Sequence, residues 1–309
     1  MSARHEPVLL AETLGFWRNG PGDYLDATLG DGGHAEALLE AEPGARLLGT
    51  DRDPRALRVA GERLARFGDR FVTAQAAFRE LPGVLARAGW QPLAGALFDL
   101  GLASPQIDDP ARGMSFQSEG ALDLRMDPTR GEPAAALLAR VDESELREVL
   151  HTLGDLPDAG RLARAILQSA RDGRLATTRD LKAAVERASG GRAAPRRLAQ
   201  VFQALRMWVN DERGELRAAL AWLPDAMRPG GVVVTLAYHS GEDRDIKQAL
   251  RGERISRPVR RLPDIPGLRP PEGPWEALTR RVVTPTPAET FRNPRARSAR
   301  LRAFRRKTT

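Results

Sequence analysis

The sequence predicts an α/β protein whose mostly parallel sheet is interrupted by a long helical insertion. In the first hundred residues, short apolar runs alternate with helical patterns, which is typical of βαβ units. Between about 107 and 215 the pattern is helical, and a strand-like run rich in β-branched residues resumes at 230–240. We therefore predict a core formed by 1–106 and 216–309, and an inserted all-helical subdomain at 107–215 for substrate recognition.

The first part of the chain contains four strand signals separated by helix signals. The predicted strands are DYLDAT (23–28), ARLLGTD (45–51), RFVTAQA (70–76) and LAGALFDL (93–100). The predicted helices are GHAEALLEA (33–41), PRALRVAGERLARFG (54–68) and LPGVLARAG (81–89). Because these strands are predicted to be parallel, their carboxyl ends share one edge of the sheet, and we expect right-handed crossovers between them.

The rest of the chain is predicted as helices, a loop and further strands. The helical runs are DESELREVLHTL (142–153), AGRLARAILQSARD (159–172), TTRDLKAAVERAS (177–189) and the long segment 196–223. Residues 252–275 are rich in Pro, Gly and Arg and indicate a loop. ALTRRVVTPT (277–286) and SARLRAFRR (298–306) are predicted as final strands, the second because its small and apolar residues recur at strand period.

Composition excludes several classes of protein. The 309 residues contain no Cys, which rules out disulfides and Cys-ligated zinc and fits a cytosolic protein. No apolar run reaches about 18 residues, so we predict no membrane span. Charges inside the N-terminal apolar segment argue against a signal peptide. The net charge of +7 favours a phosphate-rich partner, although an Arg-rich composition is also typical of a GC-rich genome.

A glycine-rich turn follows the first strand. Gly30, Gly32 and Gly33 stand where glycine permits positive φ and a close approach of backbone N–H groups to a ligand. Asp51 ends the next strand, where a carboxylate can accept both hydroxyls of a ribose. This arrangement fits a dinucleotide or S-adenosylmethionine (SAM), and a tight turn without a ligand is the structural alternative.

Two further aspartates favour SAM. Asp26 precedes the glycines in D-x-T-x-G, and its carboxylate suits a cofactor with an ammonium and a sulfonium but would repel a pyrophosphate. Asp99 ends the fourth strand, in FDLGLASPQ, and open α/β sheets bind ligands at the carboxyl ends of their strands. We therefore expect Gly32, Asp51 and Asp99 to meet in one crevice.

Nine motifs occur in order along the chain. They are HEPVLLAETL, DATLGDGGHAEALL, GTDRDPRAL, FDLGLASPQID, RGMSF, ALDLRMDPTRG, FQALRMWVNDE, YHSGEDRDIK and NPRARSARLR. This ordered set resembles the bacterial small-subunit rRNA (cytosine-N4)-methyltransferases, the RsmH or MraW family, over nearly the whole chain. The resemblance implies a Rossmann-like class I SAM-dependent methyltransferase fold. It also implies methylation of the exocyclic N4 amine of a cytidine in the decoding region of 16S rRNA, in the small ribosomal subunit.

The resemblance also implies the cofactor site. The residues that it assigns are Gly32, Gly33, His34, Asp51, Phe78, Asp99 and Gln106. Asp51 would hold the ribose, and Phe78 and Asp99 would lie beside the adenine. The chain departs from the family pattern at Leu102, Ala103, Tyr238, Gly241 and in AAPRRLAQV (193–201). The last departure bears on how the insertion would meet RNA.

Asp99, Ser104 and His239 are the predicted catalytic residues. Because SAM is already electrophilic, the enzyme must mainly align the cytosine amine, and an acceptor on that amine would free its lone pair. Asp99 and Ser104, with the carbonyl near Pro105, suit this role, although Ser-Pro is also common in turns and Asp99 could serve the cofactor alone. His239 could accept the released proton, or it could simply tie down a loop. Ser240 and Asp243 predict a capping box.

Basic and aromatic residues give candidate RNA contacts. Arg112, Arg125, Arg206 and the arginine run at 292–306 could bind phosphates, and Phe116 could stack on the target base. Their structural alternatives are a solvated strand face and a core aromatic.

Other hypotheses stay open at this point. His5 and His151 lack partners at metal-ligand spacing, so we predict no catalytic metal. The insertion could mediate a homodimer, which nothing in the sequence requires. One alternative function is an RNA-binding or ribosome-assembly protein on an inactive methyltransferase fold. Another is an NAD(P)-dependent oxidoreductase, from the G-x-G-x-x-A match.

Overall fold

The computed structural model describes residues 7–251 and 273–308. The chain forms two compact units, one comprising Met1–Gly101 with Arg213–Thr309 and the other Leu102–Glu212. His5 and nearly all of the loop predicted at 252–275 lie outside the described residues.

The first unit is built on a seven-stranded sheet in the order β3-β2-β1-β4-β5-β7-β6. The strands are β1 (Gly22–Asp26), β2 (Ala45–Asp51), β3 (Phe71–Gln75), β4 (Leu93–Asp99), β5 (Met227–Ala237), β6 (Trp275–Ala277) and β7 (Arg300–Arg306). β1 to β5 run parallel, and β7 is antiparallel to both β5 and β6. The predicted mostly parallel sheet is therefore confirmed.

Helices cover this sheet and form the second unit. Those of the first unit are α1 (Leu10–Trp17), α2 (Gly33–Ala41), α3 (Pro54–Leu64), α4 (Leu81–Ala88), α11 (Glu212–Ala226), α12 (Ser240–Arg251) and α13 (Pro287–Arg292). Those of the second are α5 (Ser104–Asp108), α6 (Ala134–Leu138), α7 (Glu143–Gly154), α8 (Ala159–Arg171), α9 (Thr178–Ala188) and α10 (Pro195–Val209). Across residues 7–251 and 273–308, none of the helices has the length and apolarity that crossing a bilayer requires.

The central strand β4 and the second half of β5 are buried on both faces, which explains why these segments are almost continuously apolar. Neighbouring residues of β1 point into different clusters: Leu25 packs with Phe98 and Val233, whereas Tyr24 packs on the opposite side. The strand ends are thus held in place by two apolar layers.

The insertion has its own core and its own helix signals. Leu146, Leu150, Leu162 and Ile166 of α7 and α8 are fully buried. Thr177 caps α9 and accepts a hydrogen bond from the backbone N–H of Asp180, while the Asp180 carboxylate accepts from the N–H of Thr177. This reciprocal pair is a capping box, which fixes the start of α9.

Two predicted segments differ from the structure. The helical run at 196–223 forms two helices, because Asp211 takes the left-handed φ of 45° between α10 and α11. The strand predicted at 277–286 is wrong: β6 ends at Ala277, and Val283 only forms an isolated bridge to Leu301. Prolines at 285 and 287 cannot donate ladder hydrogen bonds, so they disfavour an extended strand.

Candidate functional site

Three aspartates end three adjacent strands at the point where the strand order reverses. Asp26, Asp51 and Asp99 are the last residues of β1, β2 and β4, and β1 lies between the other two. The chain runs outward from β1 to β3 and then returns to place β4 on the other side of β1. Crevices at such switch points are the usual ligand sites of open α/β sheets.

The glycine turn is tied to the end of β2. Gly30 and Gly32 take positive φ values of 50° and 78°. The N–H of Gly30 donates to Asp51 Oδ2 at 2.9 Å, and the N–H of Asp53 donates to Asp51 Oδ1 at 2.9 Å. The Asp51 carboxylate therefore fixes the turn as well as facing the strand-end crevice.

Close packing also requires glycine in this turn. A Cβ on Gly32 would lie 3.0 Å from Leu64 Cδ1, and one on Gly33 would lie 2.4 Å from Pro7 Cγ. Approach of the chain to itself therefore explains Gly33 without a ligand, which supports the structural alternative for that position.

Thr28 joins the ends of β1 and β4. Its N–H donates to Asp26 Oδ1 at 3.1 Å, and its Oγ1 accepts from the N–H of Asp99 at 2.7 Å. Thr28 is not among the predicted site residues, although D-x-T places a hydroxyl two residues beyond the strand-end carboxylate. Thr28 thereby sets the spacing of two of the three aspartates.

Two of these carboxylic acids titrate near neutral pH. The pKa of Asp26 is raised to about 8, mainly because burial removes its solvation. Hydrogen bonds from Thr28 lower this pKa, whereas the negative charges of Asp99 and Asp51 raise it. Loss of solvation likewise raises the pKa of Asp51 to about 6, against N–H donation from Asp53 and Gly30. A cationic ligand would stabilise the ionised form of both groups.

Asp99 lies between Tyr238 and His34. Tyr238 Oη donates to Asp99 Oδ1 at 2.8 Å, and His34 Nδ1 lies 3.8 Å from Asp99 Oδ2. His34 Nε2 is 3.0 Å from the carbonyl oxygen of Val8, which can only accept, so the proton of the neutral ring lies on Nε2. The structure thus brings Asp99 and His34 together at the turn.

Phe78 lies in a short helical turn, Phe78–Glu80, that follows β3. Its ring packs edge-on against Phe98 of β4, with centroids 5.4 Å apart. The backbone N–H of Arg79 donates to Glu215 Oε2 at 2.9 Å and holds this turn in place. Phe78 is therefore a fixed apolar wall at the carboxyl end of the sheet.

The loop after β5 engages His239 through Nδ1. Nδ1 accepts from the backbone N–H groups of Gly241 at 3.2 Å and Glu242 at 3.4 Å. A nitrogen that accepts from two N–H groups carries no proton, so the hydrogen of the neutral ring lies on Nε2. Nε2 is buried 3.0 Å from Glu242 Oε1, but within the described residues it forms no hydrogen bond. This geometry favours the loop-tying alternative over a proton acceptor.

The helix for which Ser240 and Asp243 predict a capping box, α12, begins at Ser240 itself. His239 accepts from the first turn of α12, and Glu242 Oε2 accepts from the N–H of Tyr238 at 2.9 Å. The Asp243 carboxylate is instead paired with Arg302, whose Nε lies 2.6 Å from Oδ1.

Ser104 and Gln106 belong to the insertion unit. Ser104 is the first residue of α5, and Gln106 Oε1 accepts from the backbone N–H of Ala103 at 3.1 Å. The Gln106 amide therefore caps the start of this helix.

The three arginines proposed for RNA within the insertion are held by the protein. Arg112 is 6% exposed and donates to the carbonyl of Met126 at 2.8 Å. Arg125 and Arg206 form two-point ion pairs with Asp123 and Glu212. These guanidinium groups organise the insertion, so their assignment as phosphate contacts is not supported.

The other RNA candidates are also partly engaged. Phe116 packs against Phe202 with centroids 5.8 Å apart, as the core alternative requires. In the C-terminal run, Arg302 is buried against Asp243, and Arg306 Nε donates to the carbonyl of Pro224 at 3.1 Å. A run of arginines on this strand is thus partly internal.

Within the part of the chain that the structure describes, no group of three or more His, Asp or Glu side chains could hold a metal ion.

A family model, the MraW methylase family, matches residues 2–307. The chain belongs to the MraW methylase family. It is 45% identical to the ribosomal RNA small subunit methyltransferase H of Sorangium cellulosum, over 92% of this chain and 85% of that protein. The enzyme of the same name from Anaeromyxobacter sp. (strain K) is 44% identical over 97% of each. A solved rRNA methylase from Streptococcus thermophilus is 10% identical, with a TM-score of 0.41 over 97% of this chain and 94% of that one.

The predicted class and cofactor are confirmed for this MraW-family chain: it is a SAM-dependent methyltransferase with the class I fold. Its own residues fit SAM. Three strand-end carboxylates, two with raised pKa values, suit a ligand that carries both an ammonium and a sulfonium.

Proposed function

We propose that this chain methylates the exocyclic N4 amine of a cytidine in the decoding region of 16S rRNA, within the small ribosomal subunit. The observation that carries the proposal is the crevice formed by Asp26, Asp51 and Asp99, whose chemistry suits a cationic methyl donor. The names of the relatives support an rRNA of the small subunit, and the resemblance of the motifs supports cytidine N4.

The cofactor site that we propose combines the glycine turn with the strand ends. Asp51 accepts the ribose hydroxyls, Phe78 packs on the adenine, and Gly32, Gly33 and His34 line the methionine part. Gln106 of the insertion is assigned to the same site. Bound SAM supplies an activated methyl group, whose bond to sulfur breaks as the bond to N4 forms and leaves its electron pair on sulfur.

The catalytic role that we propose for the chain is alignment of the amine. Asp99 accepts a hydrogen bond from N4–H, which makes the nitrogen lone pair available and draws away the proton that N4 loses. Ser104 and the carbonyl near Pro105 act as further acceptors. His239 holds the loop after β5, because its Nδ1 accepts from the N–H groups of Gly241 and Glu242.

Substrate and location follow from the same proposal. An rRNA of the small subunit places the protein in the cytoplasm, and the insertion recognises the RNA. A homodimer through the insertion is a separate prediction, which sedimentation of the purified protein would test.

The test is methylation of small subunits from a strain that lacks this gene, using radiolabelled SAM and identifying the labelled nucleoside by mass. Label in N4-methylcytidine supports the proposal, and label in another nucleoside refutes the assignment to N4. SAM binding without label on subunits or naked RNA would favour an assembly protein on an inactive fold. Binding of NAD(P) instead of SAM would favour the oxidoreductase.

A further inference from the structure

Tyr238 lies directly after β5, and its hydroxyl meets the carboxylate of Asp99 at the end of the neighbouring β4. The distance from Tyr238 Oη to Asp99 Oδ1 is 2.8 Å, and the phenol donates because an ionised carboxylate can only accept. We infer that Tyr238 is a positioning residue, which holds Oδ1 and so fixes the orientation in which the Asp99 carboxylate meets the target amine. This inference rests on the proposed function, because it assigns Asp99 to that amine.

The backbone around Tyr238 is fixed on both sides. Its N–H donates to Glu242 Oε2 at 2.9 Å, and the N–H of Leu100 donates to the carbonyl of Leu236 at 2.9 Å. These bonds hold the ends of β4 and β5 at a constant separation. The hydroxyl therefore reaches Asp99 from a rigid platform.

The ring of Tyr238 is also confined. A Cβ on Gly101 would lie 3.3 Å from Tyr238 Cδ2, and Gly101 takes a φ of 113°, so glycine leaves the space that the ring occupies. Burial raises the pKa of Tyr238 well above its usual value, and the Asp99 charge raises it further, so the phenol keeps its proton.

Asp99 retains access to a ligand while it is held. Its side chain is 24% exposed. A carboxylate that is held at one oxygen keeps a single orientation, which is the preorganisation that alignment of an amine requires.

The chain offers a matched control, because it contains two tyrosines. Tyr24 is fully buried, and its hydroxyl donates to the carbonyl of Gly20 at 2.5 Å, a neutral acceptor. Tyr24→Phe therefore removes an equivalent buried hydroxyl without touching Asp99. If Tyr238 merely satisfies its own hydroxyl, both Tyr→Phe variants will affect stability alone.

The first experiment tests the contact without cofactor or RNA. In the Tyr24→Phe protein, Tyr238 is the sole tyrosine, and its ultraviolet resonance Raman doublet reports whether the phenol donates a hydrogen bond. We expect the signature of a strong donor, which Asp99→Ala in the same background should abolish. An unchanged doublet would overturn the inference whatever the protein methylates.

The second experiment separates kcat from binding in Tyr238→Phe, using small subunits and SAM. We expect kcat to fall about tenfold, as loss of one hydrogen bond to a charged group predicts, while the Kd for SAM stays within about twofold and Tyr24→Phe retains full kcat. An unchanged kcat, or a loss confined to the Kd for SAM, would overturn the inference. If the wild-type protein methylates no RNA, the proposed function fails, and the Raman result still decides the contact.

Discussion

Asp26 at the end of β1 and the two aspartates in the middle of α12 are similarly buried but have opposite electrostatic surroundings. Asp26 is 1% exposed, and the charged neighbours that shift it most are Asp99 and Asp51, both negative. Asp245 is 3% exposed, and although burial raises its pKa, hydrogen bonds from Arg213 and Arg217 hold that pKa below its ordinary value. Burial alone therefore does not determine what a carboxylate does in this fold.

This difference distinguishes the aspartates that stabilise the fold from those at the candidate site. Asp243 and Asp245 are neutralised by arginines of the same unit, so these pairs join α12 to β7 and α11. Ionisation of all the strand-end aspartates would concentrate negative charge at the switch point of the sheet, and without a ligand Asp26 therefore keeps its proton up to about pH 8. A fold tolerates such charge when a cationic ligand compensates for it, which is the property that SAM provides.

Breaking a neutralised pair should have the largest effect. Arg302→Ala removes the guanidinium that pairs with the buried Asp243 carboxylate. We expect a loss of about 3 kcal/mol in the free energy of unfolding, measured with urea. Arg305→Ala on the same strand is the control, because its partner Glu276 is exposed. The Kd for SAM should not change in either protein, and equal losses of stability would contradict the comparison.

Removing a strand-end carboxylate should affect binding more than stability. We expect Asp51→Ala to raise the Kd for SAM by about 100-fold, as loss of two charge-assisted hydrogen bonds predicts. Asp53→Ala is the control, since its side chain caps α3 by accepting from the N–H of Arg55. That variant should lose about 1 kcal/mol of stability and bind SAM normally. Calorimetric titration measures the Kd for SAM of both variants, and urea unfolding measures their stability. Equal Kd values in the two variants would refute the role of Asp51.

The raised pKa of Asp26 predicts how stability depends on pH. The folded protein holds this proton up to about pH 8, whereas the unfolded chain releases it near the ordinary pKa of 3.8, so stability falls as pH rises between these values. From pH 6.5 to 7.5 the free energy of unfolding should fall by about 1.2 kcal/mol. Asp26→Asn should remove this slope from the cofactor-free protein in urea unfolding.

The same proton gives the opposite dependence for the ligand. Because a cation favours ionised Asp26, SAM should bind more tightly as pH rises through this range, and binding should release a proton. If the Kd for SAM depends on pH in the same way in wild type and in Asp26→Asn, Asp26 does not titrate in this pH range.

A surface carboxylate provides the smallest effect. Asp23 pairs with Arg46 at the start of β1 and β2, and the Arg46 side chain is 51% exposed. We expect Asp23→Asn to cost about 0.5 kcal/mol, and less in high salt. Thermal unfolding at two salt concentrations would test this. A loss of stability as large as that of Arg302→Ala would show that burial does not explain the difference between the two ion pairs.

Local patterns predicted the strand-end crevice well. β2 and α2 occupy the predicted residues, because a strand followed by glycines and an amphipathic helix is encoded within a few residues. Asp26, Asp51 and Asp99 follow once adjacent parallel strands are assumed.

Contacts across the insertion could not be predicted in this way. The bond between Tyr238 and Asp99 depends on the pairing of β5 with β4, which are separated by the whole second unit. The burial of Arg302 could not be predicted for the same reason. Strand period places Arg302 on the face of β7 opposite its apolar residues, and only the packing of α12 shows that this polar face is covered.

The insertion also has a consequence for synthesis of the chain. β5 is the parallel neighbour of β4, but residues 100–226 must be made before it exists. Until then, the outer edge of β4 lacks its partner, and unpaired strand edges promote association between chains. Sheet completion is therefore a late event of high contact order, and translation speed through the insertion will influence the yield of native protein.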